Sequence, residues 1–307
     1  MGSMSNWLWV LFSFITMVCN AILPIFTPVV NQYAYGSGII GSYFLGTALI
    51  TLIGIILLSL INGSRWSLVL PSFGLVLSGL IYGAGSLSLQ KSIERAPSPA
   101  IATLLPRNRA LVNAMIAFFV FGVSSSFWKG GSIYLLQAIL VAFTLVLKKS
   151  FNTGTKEEYS WQPYSYMSML LLAISDVIVK NVVGYGDLLA NLTWFSISGA
   201  IIPMISNFRK TGNFIFTYRD HNREDNTGIV PLFVGLIGLF AIKIVTQYIA
   251  IGIAPSSANV RVIGSLSVPL TIVLSKYFRG IEYEMKDSIL IGMFSLVGLI
   301  SGVRSLM

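Results

Sequence analysis

Ala96-Pro97-Ser98-Pro99-Ala100 opens an apolar run that ends at Gly122, and Ala254-Pro255-Ser256-Ser257-Ala258 opens another that ends at Gly280. Ala-Pro-Ser-x-Ala at one end and Gly at the other keep one separation, 158 residues, from 100 to 258 and from 122 to 280, without a gap. Working outward, apolar stretches of bilayer-crossing length, about 17–25 residues, recur along the whole chain. They fall at about 6–29, 37–61, 67–90, 98–121, 130–148, 163–183, 188–206, 228–253, 256–278 and 286–305. The same offset carries span 1 onto span 6, 2 onto 7, 3 onto 8 and 5 onto 10. The sequence therefore reads as two five-span halves, 4–150 and 151–307. An odd number of spans per half makes the second half enter the membrane from the opposite side. That is an inverted-topology repeat, a build common in secondary transporters, with the substrate site near the midplane between the halves.

Composition agrees. Of 307 residues, 55 % are hydrophobic and only 10 % charged, against about 25 % charged in soluble domains. The mean hydropathy is +0.79. These runs do not alternate as barrel strands do, so the expected fold class is an all-α integral membrane protein with ten transmembrane helices. Most loop charge lies between Lys148 and Trp161 and between Asn207 and Thr227. Met1-Gly2-Ser3 reads as an appended tripeptide ahead of a natural start at Met4. No Lys or Arg precedes the run Trp7 to Val30, so it reads as a retained span and not a signal peptide. A single cysteine, Cys19, excludes an intramolecular disulfide and a Cys-based metal cluster. A single histidine, His221, excludes a His-rich metal site and speaks against a Ser-His-Asp triad. There is no phosphate-binding loop and no reactive constellation, so neither an enzyme nor a cofactor is expected.

The chain carries 20 Lys and Arg against 11 Asp and Glu, a formal charge of +9. In a membrane protein this excess serves topology and anion binding, and no nucleic-acid partner is expected. Five basic residues lie three or more positions inside the ends of a span: Arg107 and Arg109 in span 4, Lys180 in span 6, Lys243 in span 8 and Arg261 in span 9. The acidic residue at that depth is Asp176 in span 6. Each charge at bilayer depth costs about 2.5–3.5 kcal/mol on insertion scales, which makes each a site candidate. Asp176 and Lys180 are four apart, acid first, the favourable order for an in-helix ion pair; the alternative for Asp176 is gating or proton coupling. Arg107, Arg109, Lys243 and Arg261 then lack an acidic partner and need water, carbonyls or an anionic ligand. Arginine offers a planar fork to phosphate or carboxylate, and lysine a compact charge. Arg107 and Arg109, two positions apart, cannot face the same point. Pro106 removes an N–H and frees the carbonyl of Ala102, giving a hinge or an acceptor for an arginine. Polar candidates are Tyr82, Ser86 and Gln90 on one face of span 3, Thr246 and Gln247 beside Lys243, Asn108 in span 4 and Ser265 in span 9. Tyr248 falls on Gln90 at the repeat offset. Gly79 with Gly83, and Gly298 with Gly302, are spaced to let another helix approach closely.

Five plus five spans, a short turn into spans 4 and 9, and a long helix ending near Gly122 or Gly280 resemble the drug/metabolite transporter superfamily. The EamA-like bacterial branch often has an acidic residue just after that glycine. Glu282 fits in the second half, and Val123 and Ser124 depart from it in the first. The resemblance implies that spans 3, 4, 8 and 9 line a central cavity, while 5 and 10 pack peripherally or pair in a homodimer. Ala258-Asn259-Val260-Arg261 is similar to the small-Asn/Leu-basic stretch of the ninth helix in triose-phosphate and nucleotide-sugar transporters. There the basic residue contacts phosphate. The full nucleotide-sugar motifs are absent.

Topology reads two ways. Lys91, Arg95, Lys148, Lys149, Lys156, Arg209, Lys210, Arg219, Arg223, Lys276, Arg279 and Lys286 fall in alternate loops, against Arg65, Lys129 and Arg304 elsewhere. The positive-inside rule then puts both termini outside, whereas the resemblance implies cytosolic termini. The expected function is a secondary carrier in a lipid bilayer for a small metabolite, phosphorylated or otherwise anionic, working by alternating access. Its charge comes from Arg107, Arg109, Lys243 and Arg261, its orientation from Tyr82, Gln90, Asn108, Thr246 and Gln247, and its gating from Asp176 and Lys180. The alternatives are a proton-coupled exporter of amino acids or other small metabolites, and an anion channel or non-transporting scaffold.

Overall fold

The structure, a computed structural model, describes residues 2–62, 70–96, 99–107, 109–122, 139, 160–182, 187–216, 229–280 and 293. Among these the regular structure is helical, with no strand. The apolar runs become α1 (Gly2–Asn31), α2 (Gly36–Ile61), α3 (Phe73–Arg95), α4 (Pro99–Arg107), α5 (Ala110–Phe121), α6 (Gln162–Val182), α7 (Leu188–Thr211), α8 (Ile229–Ile253), α9 (Ser257–Ser265) and α10 (Ser267–Arg279). Side chains of Ser72, Asp187 and Ser256 accept from the first free N–H groups of α3, α7 and α9. Gly122 and Gly280 end α5 and α10 at φ 67° and 61°, the left-handed conformation in which glycine carries no Cβ penalty.

Among the described residues seven helical segments are long and apolar enough to cross a membrane: Trp7–Asn31, Gly36–Ile61, Phe73–Arg95, Gln162–Val182, Leu188–Thr211, Ile229–Ile253 and Ser257–Arg279. Leu49, Ile53 and Leu57 on α2 and Val230 and Val234 on α8 face outward, as lipid-facing positions do. The expected spans 130–148 and 286–305, with Gly298 and Gly302, lie outside the described residues, apart from Ile139 and Met293.

Spans 4 and 9 were expected as single long helices. The structure corrects this: the first gives α4, which ends at Arg107, and α5, which starts at Ala110, and the second is interrupted at Leu266. Pro106 is one physical reason. Without its N–H the Ala102 carbonyl loses its helical partner, and Ser165 of α6 takes it at 3.0 Å. Such breaks are tolerated at membrane depth where neighbouring helices satisfy the freed backbone.

In the packing, α3 lies on α6 and α7, α1 on α8, and α2 on α7 and α8. The short helices α4 and α5 pack against α6, and α9 and α10 against α1; α5 also meets α9, and α4 meets α10. Gly79 and Gly83 bring α3 onto the backbone of α7. A Cβ at Gly79 would stand 2.5 Å from the Phe195 carbonyl oxygen, and one at Gly83 would overlap the Gly199 carbonyl. Ser175 donates to the Ser78 carbonyl at 2.9 Å, and the Thr51 and Thr193 hydroxyls meet at 2.8 Å. Phe44, Tyr82, Phe195 and Phe240 fill the centre, edge to face at 5.1–6.0 Å between rings.

Candidate functional site

Two polar centres lie side by side in this interior. In the first, five donors from three helices and the break before α5 converge on the Asp176 carboxylate of α6. Oδ2 accepts from Arg109 Nε at 2.8 Å, Arg261 Nε at 2.6 Å and Asn113 Nδ2 at 3.2 Å. Oδ1 accepts from Arg261 Nη2 and, at 3.4 Å, from Gln247 Nε2. Arg109 comes from the break before α5, where its Nη1 also donates to the Pro106 carbonyl; Arg261 comes from α9. All three charged side chains are essentially inaccessible, at 1–2 %. A cavity of about 10 Å³, water-sized at most, adjoins Asp176, Ser175, Tyr82, Gln247 and Tyr248.

The second centre is a cavity of about 40 Å³, room for two or three waters. Arg107, Lys243, Tyr43, Ser86, Gln90 and Thr27 are among its lining residues. Arg107 Nη2 donates to the Asn20 carbonyl at 3.3 Å. That carbonyl is free because Pro24, four residues on, cannot donate to it. Arg107 Nε, the Tyr43 hydroxyl and both side-chain polar atoms of Asn20 are buried without a hydrogen-bond partner among the described residues. Lys243 Nζ sits over the rings of Phe240 at 4.6 Å and Tyr82 at 5.5 Å. Among the described residues neither Arg107 nor Lys243 has a carboxylate within ion-pair distance. Among the described residues four buried cations thus accompany one buried carboxylate, a formal excess of three. Tyr82 joins the centres: its ring touches Lys243, and its hydroxyl donates to Gln247 Oε1 at 3.2 Å.

The structure sorts the sequence candidates by this division. Arg107, Lys243 and Gln90 meet at the cavity; Arg109, Arg261, Gln247 and Tyr82 gather around Asp176. Arg107 and Arg109 face different centres, as their spacing requires. The expected pair of Asp176 with Lys180 is not formed. Lys180 Nζ instead donates to the carbonyls of Gly252 at 3.0 Å and Ala254 at 2.6 Å, the otherwise unpaired end of α8. The expectation that Arg109 and Arg261 lack an acidic partner is corrected by the same geometry. Thr246 meets Thr16 of α1 at 2.8 Å and serves helix contact. Gln90 donates to Asn31 at 2.7 Å and to Glu94 at 3.4 Å. Asn108 lies outside the described residues. Asn20, Tyr43 and Asn113 were not singled out from the sequence. Asn113 carried a signal, one helical turn after Arg109, and so did Asn20, on a polar face of α1 with Ser13, Thr16 and Thr27.

The long apolar helices define, by length and composition, a multi-pass membrane protein. No family model and no curated protein matches the chain. Among solved structures, one described only as "Crystal structure of protein" is similar over 99 % of this chain and 96 % of its own, with a TM-score of 0.65 at 12 % identity. At that identity the likeness is one of fold.

Proposed function

We propose that this protein is a secondary transporter of the drug/metabolite type that carries a small anionic solute by alternating access between two inverted five-helix halves. The observation that carries the anion reading is the cavity where Arg107 and Lys243 lie buried without an acidic partner among the described residues. A buried charge that lacks a counter-charge is costly, and an oxyanion supplies both the charge and the acceptors that Arg107 Nε and Tyr43 lack. Support for the inverted halves comes from packing. Exchanging α1 with α6, α2 with α7, α3 with α8, α4 with α9 and α5 with α10 leaves the α2–α7 contact in place and turns the other main contacts into one another: α3 on α6 becomes α8 on α1, and α5 on α9 becomes α10 on α4. The helix ends at Arg107 and Ser265, and the left-handed glycines at 122 and 280, share the 158-residue offset of the sequence. A cavity of about 40 Å³ is too small for a metabolite, so loading the carrier requires the helices around it to move apart. Asp176, held by two guanidinium groups, favours an anion carrier over a proton-coupled exporter.

The test is a thermal-shift screen of the purified protein in detergent with phosphate, sugar phosphates, nucleotides, nucleotide sugars, carboxylates and amino acids. It runs the parent beside Lys243→Gln and Arg107→Gln. A ligand at about 100 times its Kd stabilises the fold by roughly 2.7 kcal/mol. One anion class should stabilise the parent and neither variant. Stabilisation by neutral or cationic compounds alone, unchanged by both substitutions, would overturn the proposal.

A further inference from the structure

The Asp176 centre has the donor set of an anion site, and a side chain of the protein occupies it. Two guanidinium groups and two amides, from α5, α8, α9 and the break before α5, converge on one carboxylate. Each carboxylate oxygen accepts at least two of these bonds. Without an anion between them, Arg109 and Arg261 would repel each other at 1–2 % exposure. The centre is also next to the cationic cavity. Lys243 lies against the ring of Tyr82, the Tyr82 hydroxyl donates to Gln247, and Gln247 donates to Asp176. The small cavity beside Asp176 is walled by Tyr82 and Gln247 as well. An oxyanion entering between Lys243 and Arg107 is therefore one side chain away from two further arginines. Buried ion pairs add little net stability compared with apolar packing, so a purely structural brace is a poor reason for this arrangement.

Resting on the anion-carrier reading, we infer that Asp176 is a tethered counter-anion: it holds the Arg109–Arg261 clamp when no solute is bound, and a solute oxyanion competes with it for the clamp. The two arginines belong to the two interrupted spans, one in each half. Handing the clamp from Asp176 to the solute then changes what ties those spans to α6. In the unloaded carrier Asp176 neutralises part of the interior charge, which lets the closed form exist without solute.

The test uses inorganic phosphate as probe on the purified full chain in nanodiscs. Binding is read by tryptophan fluorescence and by thermal midpoint, for the parent, Asp176→Asn, Lys243→Gln and the double variant. A site available only part of the time binds with its affinity reduced by that fraction, so Asp176→Asn should bind phosphate about tenfold more tightly or better. Its midpoint should also rise more with phosphate than that of the parent. Equal or weaker binding by Asp176→Asn overturns the inference, and so does binding by neither protein. If Asp176→Asn cannot be purified in chloride, recovery in phosphate supports the tethered anion, while failure in both makes Asp176 a brace and overturns it. Lys243→Gln separates the two readings. Parent binding that is lost in Lys243→Gln, with no gain in Asp176→Asn, leaves the cavity reading standing and removes this one. A gain in Asp176→Asn that survives Lys243→Gln keeps the clamp as the anion site and removes the cavity.

Discussion

Replacing Lys243 and replacing Arg261 should change stability in opposite directions, although both are buried cations on neighbouring helices. Lys243 is 6 % exposed with no carboxylate in reach among the described residues. Its compensation is the faces of Phe240 and Tyr82, worth about 2 kcal/mol when desolvated. Removing an ammonium group from water costs several kcal/mol even after relaxation. The balance is unfavourable to the folded, ligand-free protein, so Lys243→Met, close in volume and apolar, should stabilise it by about 1–4 kcal/mol. Arg261 shares the Asp176 carboxylate through two hydrogen bonds. Truncating one partner of a buried pair strands the other, so Arg261→Met should cost about 3–5 kcal/mol, tempered by Arg109, which remains on Asp176. The assay is unfolding in detergent, phosphate-free, with midpoints of both variants measured beside the parent. A drop of more than about 1 kcal/mol for Lys243→Met, or no loss for Arg261→Met, would refute this assignment of paired and unpaired charge.

Three further outcomes follow from the packing. Gly83→Leu should lose about 1–3 kcal/mol or fail to fold, because α3 cannot approach the Gly199 carbonyl with a side chain present; unfolding in detergent reads it, and an unchanged midpoint counts against the contact. Gly122→Ala and Gly280→Ala should each cost about 1–2 kcal/mol. Their left-handed backbone is the cause, since among the described residues, chain neighbours aside, no atom lies within 4 Å of an added Cβ at either site; unequal losses would argue against matched caps. In a Cys19→Ser background, Thr51→Cys with Thr193→Cys should lose thiol labelling on mild oxidation, because the two hydroxyls touch at 2.8 Å. Persistent labelling of both thiols would contradict the contact of α2 with α7.

The helical membrane class and several helix ends were legible in the amino-acid order alone. Long apolar runs leave the backbone no partner in lipid except itself, so helices are the outcome. Pro106 removes a hydrogen-bond donor wherever it lies, so a break near it was legible, and so were the glycines that end α5 and α10. Burial of Arg107, Arg109, Lys243 and Arg261 also followed from their place within apolar runs. What tertiary structure decided was which charge meets which. Lys180 is one turn from Asp176 on the same helix, yet the carboxylate goes to Arg109, 67 residues before it, and Arg261, 85 residues after it. Spacing along a helix fixes which side chains share a face; it does not say which other helix lies against that face. Once α9 and the break before α5 deliver two guanidinium groups there, each able to donate several directed bonds, the carboxylate is saturated. Lys180 reaches instead the unpaired carbonyls at the end of α8. In the same way Pro24 and Arg107 are far apart in sequence, and only packing α4 against α1 sets the arginine beside the carbonyl that the proline left free.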